Sequence, residues 1–190
     1  MGQAHSDNDI TLVFHSENRT RTPNNSIQAL FLMRDLTVCT LNNEIKNLEQ
    51  NYYQLKNYIS TPAILHYDEL AQLRRQASNP AVSRQWRLQM CLAVELLRLG
   101  RREEAFWILN SIEQRMEINN EQSAVYTLWV AIIKAAAGDY NSAYITAQRL
   151  VNVFENQQGR TVLSFFRNIF KSPANSVSRN NLFYQLPDEA

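Results

Sequence analysis

The side chains that could do chemistry are few and scattered. The three histidines, His5, His15 and His66, lie far apart, and no H-E-x-x-H or C-x-x-C can be written, so no metal site is expected. Cys39 and Cys91 are 52 positions apart, which is neither a disulfide framework nor a zinc spacing. Both fall in apolar helical patterns and read as reduced, packed thiols. No G-x-S-x-G occurs, and the only four glycines (Gly2, Gly100, Gly138, Gly159) form no phosphate-binding loop. Glu103 and Glu104 open a helix, where acidic side chains favour the helix dipole and need no catalytic role. Trp86, Trp107 and Trp129, at helical spacing, read as core. The expectation is therefore a protein without catalytic residues and without a cofactor. One short motif remains: Met1-Gly2-Gln3-Ala4-His5-Ser6 fits M-G-x-x-x-[ST], which would make Gly2 an acceptor for myristate in a eukaryotic cytosol. Asp7 and Asp9 supply no basic second signal, so one acyl chain would anchor weakly.

Nineteen basic and eighteen acidic residues give a net charge of +1, with Arg74-Arg75 and Arg101-Arg102 as the only basic doublets. That is no electrostatic footprint for nucleic acid. No apolar run reaches the ~18 residues of a membrane span. The N-terminus carries no basic segment followed by an apolar one, so the expected compartment is the cytoplasm, with membrane contact only through lipidation.

The elements that must position these residues are helices. Residues 1–23 read as a mobile polar tail with an apolar island at Ile10–Phe14. A long helix is expected over 24–60. Its apolar positions Val38, Leu41, Ile45, Leu48, Tyr52, Leu55 and Ile59 step by three and four, the a/d seam of a coiled coil. Two readings fit this seam: pairing with another chain, including self-association, or a long amphipathic helix lying on its own domain. A helical domain follows over 61–171, with helices near 62–77, 80–99, 102–118, 121–137, 141–156 and 160–171. Prolines 62 and 80 stand at first-turn positions, and Gly100 closes a helix. Residues 172–190 read as a second polar tail. No segment alternates at period two, so the fold class is all-α, with antiparallel hairpins enforced by short linkers.

Aligning Gly100 with Gly138 exposes a repeat. Residues 92–112 read LAVELLRLGRREEAFWILNSI and residues 130–150 read VAIIKAAAGDYNSAYITAQRL. This resembles the tetratricopeptide repeat, a helix–turn–helix unit with small residues where its two helices cross. Ala93 and Ala105, then Ala131 and Ala143, match the small positions, and the two glycines match the turn. The spacing of 38, Leu96 and Lys134 at the usual tyrosine position, and the missing closing prolines depart from that family. The resemblance covers about 85–155 and implies a superhelix whose inner groove is lined by Arg87, Met90, Val94, Leu97, Val125, Leu128, Ile132 and Ala135. Such an apolar groove would take an amphipathic helix of a partner protein, with Phe165, Phe166, Ile169 and Phe170 adding client contacts; alternatively, helix 62–77 or 160–171 of the chain itself fills it. The chain is similar in design to small chaperones and accessory proteins of bacterial secretion systems. The expected function is thus a non-enzymatic adaptor or chaperone. The runner-up is an exported or lipidated regulatory protein with residues 1–23 as its targeting signal.

Overall fold

The computed structural model describes residues 33, 35–61, 67–78, 86–153 and 157–171. All regular structure among them is helical: α1 (Leu41–Lys46), α2 (Leu48–Ser60), α3 (Tyr67–Ser78), α4 (Trp86–Arg98), α5 (Arg102–Arg115), α6 (Glu121–Ala136), α7 (Tyr140–Val153) and α8 (Gln157–Lys171). None of these helices is long and apolar enough to cross a membrane. The expected tails, His5, His15, His66, Pro62, Pro80 and the motif at Gly2 lie outside the described residues.

The expected helix over 24–60 is interrupted where it can be followed. Leu36–Val38 form a turn, Thr40 is extended (φ −92°, ψ 146°), and its hydroxyl accepts from the Asn43 amide at 3.2 Å. The run Thr37-Val38-Cys39-Thr40 explains the break. β-Branched side chains lose rotamer freedom in a helix, and a threonine hydroxyl is worth more as an N-cap. A second irregularity at Asn47 separates α1 from α2.

Gly100 and Gly138 close α4 and α6 in the same way. Both have positive φ, +76° and +90°. The Arg101 amide donates to the Leu96 carbonyl (2.8 Å) and the Gly100 amide to Leu97 (3.1 Å); the Asp139 amide donates to Lys134 (3.0 Å) and the Gly138 amide to Ala135 (2.9 Å). Each set is the paired bond of a Schellman cap, which consumes the last carbonyls of the helix and needs a left-handed residue. The following helices start two residues later. Asp139 caps α7 through its carboxylate, which accepts from the Ser142 amide at 3.1 Å. Gly159, by contrast, is a buried residue in the first turn of α8.

The chain divides into two compact units, Met1–Asp35 with Tyr58–Ile112, and Leu36–Asn57 with Glu113–Ala190. Two of the boundaries fall inside α2 and α5, and the third precedes α1. In the first unit α3 packs on α4; Leu70, Leu73 and Ala77 are buried, and so is every α4 residue from Met90 to Leu96. In the second unit α6 packs on α7, α7 on α8, and α1 touches both α6 and α8. Every α6 residue from Ala124 to Ala136 is buried. A helix covered all round is a central core element. Asn120 fixes its start with a capping box: its side chain accepts from the Ser123 amide (2.8 Å), and the Ser123 hydroxyl accepts from the Asn120 amide (3.2 Å).

Candidate interaction surface

The seam expected to pair chains is largely enclosed. Leu41, Leu48, Tyr52 and Leu55 are buried in this single chain, Ile45 and Ile59 are half-buried, and Val38, in the turn before α1, is exposed. The heptad spacing therefore serves the chain's own core, and a coiled-coil seam presented to a second chain is not formed. The helix is too short and too broken for that role, and the core-facing stripe of a globular helix has nearly the same period.

Most residues expected to line the partner groove are enclosed as well. Met90, Val94, Val125, Leu128, Ile132 and Ala135 are all fully buried, while Arg87 and Leu97 are half-buried. Arg87 lies 3.7 Å from Asp35. Phe166 and Ile169 are buried; Phe165 is half-buried against Tyr52 (ring centroids 5.8 Å) and Phe170 against Tyr140 (6.3 Å). The fully buried side chains are core and so are not available to a client; Arg87, Leu97, Phe165 and Phe170 keep part of their surface exposed. The signal was legible: V-Y-T-L-W-V-A-I-I-K-A-A-A has almost no polar stripe, and a groove-lining helix needs one face for its own core and another for the ligand.

Two polar clusters accompany this burial. In the first unit, Tyr58 donates its hydroxyl to Glu95 Oε1 (2.5 Å), and Arg98 donates to the Tyr58 hydroxyl (2.8 Å) and to the Thr61 carbonyl (3.3 Å). The Arg98 guanidinium lies 4.0 Å from the Tyr58 ring centroid, a cation–π contact. Burial pushes the Glu95 carboxyl above its ordinary range, Glu69 adds to the rise, and the bonds from Tyr58 and Arg98 oppose it. Burial also holds the Tyr58 hydroxyl and the Cys91 thiol high, the thiol at about 12, so Cys91 is a packed neutral side chain rather than a nucleophile. In the second unit, Lys134 is buried and pairs with Glu113, and its ammonium also donates to the Thr146 hydroxyl (3.2 Å). Arg149 shares that carboxylate (3.3 Å) and donates to the Glu113 and Met116 carbonyls (each 3.3 Å) at the end of α5. Glu44, also buried, accepts from the Trp129 indole and from Asn51 (each 3.1 Å). These groups bond to one another in the interior. Among the described residues no group of His, Cys, Asp and Glu could hold a metal ion.

Five large apolar side chains are exposed among the described residues: Val38 in the turn before α1, Tyr53 on α2, Leu99 after α4, Trp107 on α5 (72% exposed) and Ile145 on α7 (48%). Trp107 and Ile145 are the pair on outer helix faces at matching positions. They are 38 residues apart, like the two cap glycines, and so hold equivalent positions on α5 and α7. Beside Trp107, Phe106 is half-buried with Arg102 stacked on it at 4.8 Å, and Glu104 accepts from Arg101 at 2.8 Å and pairs with Arg74. Reading all three tryptophans as core is thus correct for Trp129 only; Trp86 is half-buried and Trp107 points outward. Trp107 misses the stripe Ala105, Ile108, Leu109, Ile112, which was the signal that could have placed it outside.

A scan against protein-family models, a search of curated proteins and a search of solved structures each find no match to this chain.

Proposed function

We propose that the chain is a non-enzymatic protein–protein interaction module of tetratricopeptide-like design, an adaptor or chaperone within a larger assembly, as in a bacterial secretion system. Its partner meets an outer helix face, that of α5 around Trp107, rather than an inner groove. The observation that carries this reading is Trp107, an indole 72% exposed on a helical face. Large exposed aromatics are unusual on surfaces that bind nothing, and tryptophan is over-represented among residues that dominate binding energy. The repeat-equivalent Ile145 extends the same logic to the second hairpin. The turn chemistry common to α4–α5 and α6–α7 supports the repeat reading, and the closed polar clusters agree with a binding rather than a catalytic role.

The test is affinity purification with quantitative mass spectrometry, comparing the native chain with Trp107→Ala, Ile145→Asn and the double variant. Loss of the same proteins from the variants, at unchanged thermal stability, supports the reading. Identical captured sets overturn it. An activity that survives in the double variant and depends on the buried clusters would favour an enzyme.

A further inference from the structure

We propose that the outer face of α5 around Trp107 takes an acidic segment of the partner protein. Its carboxylates meet the arginines of both basic doublets, and a central apolar side chain meets the indole. This inference rests on the outer-face reading above and adds the chemistry of the partner.

The fold brings together two basic doublets that the sequence keeps apart. Arg74-Arg75 lie on α3, and Arg101-Arg102 lie at the start of α5. Glu104 joins them: it accepts from Arg101 at 2.8 Å and pairs with Arg74. Arg75, Arg101 and Arg102 are exposed and Arg74 is half-buried. The Arg102 guanidinium lies 4.8 Å from the Phe106 ring centroid. Trp107, three residues after Glu104, shares that carboxylate's face of the helix. Four arginines and one exposed indole thus occupy the beginning of α5 and the adjoining stretch of α3, against the two carboxylates of Glu103 and Glu104.

The turn itself does not call for these cations. A cation in the first turn opposes the helix dipole. The equivalent turn of the second hairpin is built without one, with Asp139, Tyr140, Asn141 and Ser142 where the first has Arg101, Arg102, Glu103 and Glu104. Asp139 there caps its helix. Arg101 and Arg102 are therefore placed for an incoming anion, which the dipole and the guanidinium groups both favour. The anion is a protein carboxylate rather than a phosphate backbone. A nucleic-acid strand needs a basic stripe, whereas Glu103 is exposed within this patch and the whole chain carries a net charge of only +1. Tryptophan and arginine side by side are the pair that dominates binding energy at protein interfaces.

The test is fluorescence anisotropy of the full chain with a labelled peptide of glutamates around one central leucine. The same peptide with lysine for glutamate and a single-stranded oligodeoxythymidylate are run beside it. The acidic peptide should bind the native chain, and its affinity should fall at least about tenfold in Arg101→Gln/Arg102→Gln and in Trp107→Ala. Binding to the native chain should also weaken as salt rises from about 50 to 300 mM, because exposed charges are screened. That salt series needs no variant, so it tests the proposal whatever the substitutions do to folding. An acidic peptide that fails to bind, binds the double arginine variant equally well or ignores salt overturns the proposal. Tighter binding of the lysine peptide or of the oligonucleotide overturns it too. Affinity capture separates this inference from the reading beneath it. Proteins lost from Trp107→Ala but kept by Arg101→Gln/Arg102→Gln overturn the acidic segment and leave the outer-face reading standing; an unchanged set in Trp107→Ala overturns both.

Discussion

The hairpins α4–α5 and α6–α7 are closed by the same glycine cap, yet they bury opposite charges. At equivalent positions, Glu95 and Arg98 of the first correspond to Ile133 and Ala136 of the second, while Lys134 of the second corresponds to Leu96 of the first. Glu95 is enclosed with a loosely matched arginine; Lys134 is enclosed with Glu113 and the Thr146 hydroxyl. The backbone motif and the small residues Ala93, Ala105, Ala131 and Ala143, all fully buried, are held in common. The interior charge is not. The lesson is that the glycine cap constrains the turn, where sterics are severe, and leaves buried electrostatics to each helix's own neighbours.

The comparison is most exposed at Trp129. Its α4 counterpart is Cys91, and its α5 relative in composition is Trp107. Trp129→Ala should destabilise by about 3–5 kcal/mol, since it empties a core site and removes the indole bond to Glu44. Trp107→Ala should stay within about 0.5 kcal/mol. Similar costs in urea unfolding would remove the distinction between the closed core and the outer face.

Next is Lys134→Met, which removes the buried cation. Breaking a buried pair costs about 3–5 kcal/mol, but Glu113 keeps Arg149 and is 16% exposed, so we expect about 1–3 kcal/mol. A stabilised variant would mean that the second hairpin retains its charge against its own stability.

The caps themselves come third. Gly100→Ala should cost about 1–2 kcal/mol, all of it backbone strain, because a Cβ there meets nothing within 4 Å. Gly138→Ala, at φ +90°, should cost at least as much. Unequal melting shifts with Gly100 the larger would break the equivalence of the two turns.

The smallest effect concerns a second carboxyl of the first hairpin. The bond from Arg74 holds Glu104 below its ordinary range, the opposite direction to Glu95. Its stabilisation is present above the unfolded value and lost as pH falls through the folded one. Arg74→Ala should thus lower stability at neutral pH by less than about 1 kcal/mol. The gap should close in acid denaturation below pH 4.5.

Much of this was legible in the residues. Period and turn chemistry are local, and they carried the all-helical class, the two glycine turns, the stripes of α5 and α7, and the inert cysteine Cys91. Three features were not. The helix over 24–60 broke at Thr40 because a side-chain cap competes with helix continuation, and periodicity alone does not weigh that contest. The seam Leu41–Leu55 turned inward because a core stripe and an oligomer seam share one spacing. Met90 and Val94 of α4 became core because apolar residues report burial and not what covers them.

The sequence by itself determined the helical class, the positions of Gly100 and Gly138 as helix ends, and the small residues of each hairpin, all set by steric rules acting over a few residues. Only the tertiary structure decided which apolar faces are enclosed and that Glu95 meets Tyr58 and Arg98 in the interior. Burial and desolvation are properties of neighbours distant in the chain, and no local pattern encodes them.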